Sequence, residues 1–490
     1  MKGKARYRLN TWDRIVGFFS PAKALRNMTL RGIAEARNGY PVEDTPSLDG
    51  FWGNPETANS AVSMDRQKIA DRVRDLSRRM PWMGQAIDNA VSYRVGEGFT
   101  FKPMVLTDEG KPDKRTNDTI KDAFRRWCEH ADVNGRDHFG DLQEMAQTQL
   151  IECGEAVMIH RFDAKEGYRL QPIEPDCIGT INQRPNIDQG IEYDPKTNRF
   201  VRYWFTNRES TPAEANKEFQ CAAEDVIHLF KARRPWQRRG ISPLAQTVII
   251  AADLGEYLSN ELAAQQMASR WLAFVTDPNY DAGTNSKRIQ ETLYNLTIEY
   301  MEPGKQVQLA PGAARPTLGV ENFQRIFLRI LSTILHVPYH VISGEYAQMN
   351  YNTLREVRNA TIHTLKPEWG RFTRHFLNPV YARWMDYAVL SGELKLKNYF
   401  RDPWHYRNIY WMPPGIESVD ILRDLNGVIA GMKAGIYDPQ DWIMSQGEDP
   451  EETAQGLAEY QKLLDDLKVK TDLNPAEDSN TAQEHQNEED

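Results

Sequence analysis

The stretch "KARRPWQRRGISPL", residues 231–244, concentrates the chain's most conspicuous chemistry. Five of its first nine residues are cationic (Lys231, Arg233, Arg234, Arg238 and Arg239), and Trp236 stands among them. Cations interleaved with an aromatic ring can neutralise phosphates and stack on bases. The same residues also suit a solvated loop between two kinds of architecture. Five cations are too crowded for one buried site, because each buried guanidinium needs its own partner. The whole chain has a formal charge of -9, so it is no general polycation. A DNA grip and a surface junction are therefore both open on these residues alone.

Little else in the sequence has the form of a catalytic site. There is no Walker-type phosphate loop, no His-Glu-x-x-His, no Gly-x-Ser-x-Gly, and no Gly-x-Gly-x-x-Gly opening a helix. Cys128, Cys153, Cys177 and Cys221 lie at least 24 residues apart, which disfavours a zinc site and fits buried thiols in a reducing compartment. His336 and His340 have helical i,i+4 spacing, but the intervening "VPY" breaks the helix that would align them. The acidic "EPD" at 174–176 reads as a turn between strands. The expectation is a structural or binding protein with no catalytic residues, metal or cofactor.

The elements that must position these residues change character along the chain. A length of 490 residues suggests about three domain-sized units. Residues 1–40 carry nine Lys/Arg against two acids, and the only apolar patch there, "IVGFF", is shorter than the ~7 to 15 residues of a signal core. No apolar run reaches the ~20 residues of a membrane helix. Residues 1–60 read as weakly ordered. Two helices broken near Pro81 follow, then two more near 116–130 and 138–153. The period then becomes two. "AVMIHRF", "YRLQPIEP", "GIEYD", "RFVRYWFT" and "DVIHLFK" read as strands of an antiparallel sheet in an α+β unit.

After the basic stretch, helices dominate. Ser242 as cap and Pro243 at the first position predict a helix of roughly 30 residues through "RWLAF". Residues 275–320 read as an insert with a helix and two turns, "EPGK" and "APGAARP". "ENFQRIFLRILSTILH" predicts a second long helix ending before Pro338, and Asn352 is placed to cap a third that Pro367 and Pro379 kink or divide. Residues 416–468 read as helical. The last twenty residues hold seven acids, no Lys or Arg and no aromatics, the composition of a disordered tail.

The order and spelling of these segments resemble the lambda-like family of tailed-phage portal proteins over roughly residues 60–460. The likeness is carried by "ADRVRDLSRRMPWMGQAIDNAVSYRVGEGF", by "DLQEMAQTQLIECGEAVM" with its Gly-Glu before a strand, and by "VIHLFKARRPWQRRGISPLAQTV". It continues in the paired Pro-Gly turns of "YMEPGKQVQLAPG" and in "HVPYHVISGEYAQMNYNTLREVRN". Asn350-Tyr351-Asn352-Thr353 stands where the family has Asn-Tyr-Ser-Ser, and "PPGIESVDILRD" departs from its Asp-Pro and Lys pattern.

The resemblance implies a portal fold assembled as a cyclic ring, usually of twelve in virions, at one capsid vertex. Its parts would be a basic arm (1–60), an α+β wing (61–241), a first stem helix (242–274), an α/β clip (275–320), a second stem helix (321–343) and a tunnel loop (344–352). A long kinked helix returning to the wing (353–415), a helical crown (416–468) and an acidic tail (469–490) would follow. Gly344, Tyr346, Gln348, Asn350 and Asn352 would face the DNA channel, the alternative being a loop that only packs against neighbouring subunits. Pro303, Gly304, Lys305, Pro311 and Gly312 would form the clip turns. Lys231, Arg233, Arg234, Trp236, Arg238, Arg239 and Gly240 would form a subunit interface or wing–stem junction. There Asp253, Glu256 and Glu261 of a neighbour would serve as partners, Trp236 would anchor the loop on an apolar surface, and DNA contact is the lesser reading.

The implied partners are double-stranded DNA in the channel, the terminase large subunit, major capsid and scaffold proteins, and head-completion or neck proteins, with no membrane. The implied location is the virion, after assembly in the host bacterial cytoplasm. ATP hydrolysis would belong to the terminase. The alternatives are a viral nucleic-acid-processing enzyme, such as a nuclease or terminase-like protein, and a scaffold protein without a pore.

Overall fold

The computed structural model describes residues 57–467, apart from 164, 181–183, 207–217, 270–271, 277–289, 294–295, 302–317, 348 and 416–420. The expected acidic tail, the clip turns at Pro303, Gly304, Lys305, Pro311 and Gly312, and Gln348 lie outside the described residues, as does the basic arm up to residue 56. The arm's last residues, expected to be weakly ordered, already belong to the first helix.

That helix, α1 (Ala58–Arg79), is followed at once by α2 (Pro81–Val95). Met80 between them is extended at φ -110°, because the ring of Pro81 disfavours a helical predecessor. Strand β1 (Thr100–Pro103) precedes α3 (Lys114–Cys128), which is capped by Asp113, and α4 (Phe139–Glu152), which starts with a reciprocal cap between His138 and Asp141.

The strand-rich part runs β2 (Glu155–Asp163), β3 (Gly167–Ile173), β4 (Ile187–Asp188), β5 (Ile191–Tyr193), β6 (Phe200–Thr206), β7 (Glu218–Ala222) and β8 (Val226–Phe230). All pairings are antiparallel, but they form two sheets, β3-β2-β8 and β4-β5-β6-β7, where one was expected. Strand β2 lies between two cores. Ala156 and Met158 join the larger one, while Val157 and Ile159 pack with Ile178, Ile191, Tyr203, Phe205 and Val226. Burial on both faces is why its apolar run is nearly continuous.

Ser242 caps a short 3-10 turn, Pro243–Gln246, ahead of α5 (Val248–Ser269). The expected helix through residue 274 stops short: "LAFVT" is β9 (Leu272–Thr276). The described residues of the insert, where a helix was expected, form β10 (Gln290–Leu293) and β11 (Leu296–Met301), antiparallel to each other, with β9 parallel to β11. Alternation in "LTIEYM", with Thr, Ile and Tyr favouring extended backbone, outweighs the helical reading.

Helix α6 (Leu318–Leu335) packs Phe323 edge-on against Tyr257 of α5, with ring centroids 5.5 Å apart. The short α7 (Tyr339–Ser343) leads to α8 (Tyr351–Phe372). Pro367 lies inside α8 without ending it. A π-helical turn, Thr373–Leu377, connects it to α9 (Asn378–Leu390). Pro379 lacks an N–H and would crowd the carbonyl of His375, four residues back, so the widened turn sits where a regular helix could not.

After α10 (Pro403–Tyr406), β12 (Ile409–Met412) returns to pair antiparallel with β1, Thr100 opposite Met412. Three helices follow: α11 (Ile421–Lys433), α12 (Pro439–Ser445) and α13 (Pro450–Leu467). The larger core gathers around Phe124, whose ring lies 4.7 Å from both Phe101 and Trp384 and 5.2 Å from Trp127 and Tyr381. It thereby locks β1, α3 and α9 into one body.

Candidate functional site

Two glycines bring the conspicuous motifs together. Gly154 leaves α4 with φ +82°, and a Cβ there would stand 2.0 Å from the carbonyl carbon of Ile241. A Cβ on Gly240 would stand 2.1 Å from the carbonyl oxygen of Gly154. Only two hydrogen side chains allow these backbones to touch. The contact seats the fully buried Glu155 directly against the buried Arg239.

The pair is saturated with hydrogen bonds. Arg239 Nε donates to Glu155 Oε2 at 3.0 Å, and Nη2 donates to Glu155 Oε1 and to Pro175 O, the latter at 2.8 Å. Its Nη1 donates to Gln189 O at 2.9 Å and Ile178 O at 3.3 Å. All five guanidinium N–H groups are thus used, and they tie β2 to the segments preceding β4 and β5. Glu155 accepts further bonds from Arg66 Nη1 at 3.0 Å, from the Gly240 N–H at 2.9 Å and from His228 Nε2 at 3.0 Å.

Burial by itself would raise the Glu155 pKa. Arg239 and His228 outweigh it and hold the carboxyl well below its ordinary range. Burial lowers the His228 pKa despite the carboxylate beside it, so the ring is neutral. Its proton sits on Nε2, facing Glu155, and Nδ1 accepts from the Tyr203 hydroxyl at 3.2 Å. A second carboxylate, Asp176, lies 3.7 Å from Arg66 and accepts from Arg74 at 2.5 Å. The "EPD" turn is a turn indeed, a 3-10 segment Pro175–Cys177, and it also delivers a buried acid. Nearby Cys153 is pushed up to about 12 by burial, which makes it a poor nucleophile. Among the described residues, no three His, Cys, Asp or Glu side chains are placed to hold a metal. The arrangement is a structural ion cluster.

The rest of the basic stretch divides in two. Arg238 pairs with Asp188 at 2.5 Å, donates to Asn198 Oδ1 at 2.9 Å and lies 3.7 Å over the Tyr193 ring. Arg238 and Arg239 find carboxylates within their own chain, where Asp253, Glu256 or Glu261 of a neighbour were the expected partners. Burial of Arg239 is feasible because Glu155, 84 residues away, and three carbonyls meet it. Lys231, Arg233, Arg234 and Trp236 are exposed. Among the described residues Trp236 finds no apolar surface of its own chain on which to anchor the loop: it is 79% exposed, at φ +63°. Gln237 braces the turn by accepting from Arg233 N at 2.9 Å and donating to Arg239 O at 2.8 Å. Asn59 of α1 clamps it from outside, donating to Trp236 O at 3.1 Å and accepting from Arg238 N at 2.9 Å.

The second predicted site lies between α7 and α8. Gly344 ends α7 at φ +68°, a left-handed position suited to glycine. Glu345 fixes the loop by accepting from Arg325 at 2.8 Å and from the Tyr339 hydroxyl at 2.9 Å. Tyr346 is 57% exposed, with one side of its ring against His340 at 5.4 Å. The cap of α8 is Asn350, whose Oδ1 accepts from Thr353 N at 2.9 Å, and not Asn352, which lies within the helix. Gly344, Tyr346, Asn350 and Asn352 are all exposed. His336 and His340 form no pair: His336 faces Glu368 at 3.9 Å.

Sequence reasoning missed Arg66, Arg74, Asn59 and Asp188 altogether. The signal for Glu155 and His228 was present, a charged and a titratable residue inside apolar strands, and both stood in motifs already singled out.

The family pattern described as "Phage portal protein, lambda family" matches residues 45–365. A probable portal protein of Halomonas phage phiHAP-1 is 21% identical over 478 residues, covering 89% of this chain and 91% of that protein. The portal protein of Escherichia phage N15 is 20% identical over 467 residues, covering 82% and 85%. Among solved structures, a chain from the neck of a native GTA particle is similar at a TM-score of 0.45 and 11% identity, over 79% of this chain and 94% of that one.

Proposed function

Because this chain belongs to the lambda family of phage portal proteins and its role is that of a portal, we propose that its copies close into a ring around a channel for double-stranded DNA, at one vertex of the capsid. The observation that supports the ring is apolar surface left uncovered on the paired helices α5 and α6. Ile249 is 68% exposed, Leu262 60% and Ile326 52%. Such surface on long helices is what neighbouring copies would bury, and a closed ring buries it on every copy. Twelve copies would make up the ring in virions. The family role supports a portal and neither a nuclease or terminase-like enzyme nor a pore-free scaffold.

In this reading α5 and α6 line the channel as stem, residues 61–241 form the wing, and residues 416–468 the crown. Residues 275–320 are the clip, where the terminase large subunit docks before head-completion proteins replace it. The chain itself performs no hydrolysis. Tyr346, Asn350 and Asn352 offer DNA polar groups without fixed charge, which lets a duplex slide instead of being held. Tyr346 stands on a loop whose base Glu345 fixes to α6 and α7, with Asn350 capping α8 and Asn352 in its first turn.

Native mass measurement and negative-stain imaging of the purified chain test the ring. Closed rings are expected, and monomer alone at micromolar concentration under several salt conditions would overturn the reading. For the loop, Tyr346→Ala is expected to leave rings intact and to impair DNA packaging or retention. Undiminished packaging and retention would remove the loop from the channel role.

A further inference from the structure

The basic loop holds an exposed tryptophan in an unfavourable backbone conformation. Left-handed backbone costs a bulky L-residue roughly 1–2 kcal/mol. Here Asn59 and Gln237 hold it, one bonding to the carbonyl of Trp236 and the N–H of Arg238, the other bridging Arg233 and Arg239. The loop is thus preorganised from both ends, while its indole makes no use of its own chain, at 79% exposure. The inner cations are neutralised by Glu155 and Asp188. Exposed Lys231 and Arg233, by contrast, have no carboxylate within 4 Å among the described residues. A rigid, exposed Trp flanked by cations has the composition of an interaction hot spot.

A complementary surface exists on the same chain. Ile249, Asp253 and Glu256 of α5 are all exposed. Their i, i+4, i+7 spacing puts them on one stripe, an apolar residue followed by carboxylates roughly 6 and 10 Å farther along the axis at 1.5 Å per residue. The indole matches Ile249, and Lys231 and Arg233 match the two carboxylates.

We propose that Lys231, Arg233 and Trp236 of one copy seat on the Ile249–Asp253–Glu256 stripe of α5 in the next copy. The proposal rests on the ring reading and specifies one contact that makes the ring. Two different patches of one chain meet, so the contact is head-to-tail, the kind that generates a closed ring when its rotation closes. Desolvating the indole supplies affinity, and the charges set register and exclude wrong docking. The buried half of the same loop, Arg238 and Arg239, orients the outer half without touching the neighbour.

A charge swap tests it. Lys231→Glu with Arg233→Glu, and separately Asp253→Lys with Glu256→Lys, are each expected to weaken ring assembly by at least about tenfold. Combining all four substitutions is expected to restore rings, which a folding defect would not allow. In parallel, Trp236→Cys with Ile249→Cys is expected to give a ladder of cross-linked chains on oxidation, with none from either single variant. If the wild type forms no ring, the ring reading itself has failed. If the wild type forms rings and either charge reversal leaves assembly at full strength, or the fourfold variant stays unassembled, this contact is wrong while the ring stands. Rings that persist in the Lys231→Glu, Arg233→Glu variant but lose DNA would assign the loop to nucleic acid instead.

Discussion

Arg239→Ala is expected to be among the most damaging single substitutions in the chain. The guanidinium is 1% exposed and serves Glu155 and three backbone carbonyls. Its removal leaves the Glu155 carboxylate buried with Arg66, His228 and one backbone N–H, and strips donors from Pro175, Ile178 and Gln189. Breaking a buried ion pair from one side costs about 3–5 kcal/mol. That is a large share of a typical stability of about 5–15 kcal/mol. For a cooperative unit of about 400 residues, the size of the body that holds the cluster, it corresponds to a fall in Tm of roughly 4–6 °C. Glu155→Gln, which leaves Arg239 and Arg66 facing a neutral amide, is expected to cost a similar amount. Arg239→Lys keeps the charge but not the five-donor fork, so it should fall between wild type and alanine. The exposed Lys231→Ala serves as control, within about 0.5 kcal/mol of wild type. Urea and thermal unfolding followed by circular dichroism measure these differences. The double variant Glu155→Gln, Arg239→Ala closes the cycle and should lose less than the sum of the single changes, because each already forfeits the same contact. A loss below about 1 kcal/mol for Arg239→Ala, or additivity within about 0.5 kcal/mol in the cycle, would refute the account of this cluster as the clamp between the two sheets.

Three further outcomes are expected. Gly154→Ala and Gly240→Ala, each forcing a methyl into backbone atoms 2.0–2.1 Å away, should reduce soluble yield and Tm far more than alanine at the open Gly110. His160, whose pKa burial pushes down to about 3, stays neutral when folded, so acid favours the unfolded chain. Its contribution is unchanged above the unfolded value of about 6.5 and declines as pH falls from there toward 3, by about 2 kcal/mol at pH 5. Buried His228 adds to the same window, so urea unfolding of His160→Gln beside wild type isolates the His160 share, and parallel pH profiles would sink it. Finally, the start of α13 is held by charge: Asp449 meets Lys121 and Lys102, and Glu452 accepts from Arg125 at 2.7 Å. Lys121→Ala should raise amide exchange across Pro450–Leu467 about tenfold or more, since bonds to charged groups contribute about 1.5–3 kcal/mol. Exchange in β2 should not change, and equal protection of α13 in both proteins would contradict the latch.

Local rules were legible from the residues alone. The break at Pro81, the cap at Ser242 and the strands flanking "YDPKTNRF" each depend on neighbours a few positions away, and the structure has them all. The family was legible too, because motif order along the chain is itself sequence information. Competition was not legible. "RWLAF" continues a helical pattern, yet its end is drawn into β9 by pairing with β11, some 25 residues onward. Asn350 and Asn352 are equally good caps by type, and only the chain's approach to α8 selects the first. Five crowded cations in one loop look like a surface charge, and for three of them that holds. Arg238 and Arg239 turn inward because Asp188 and Glu155, 50 and 84 residues away, arrive from other strands. A buried charge is tolerable only where a distant partner meets it. Residue type and spacing determine that such a partner is required, and only the tertiary structure determines that it is there.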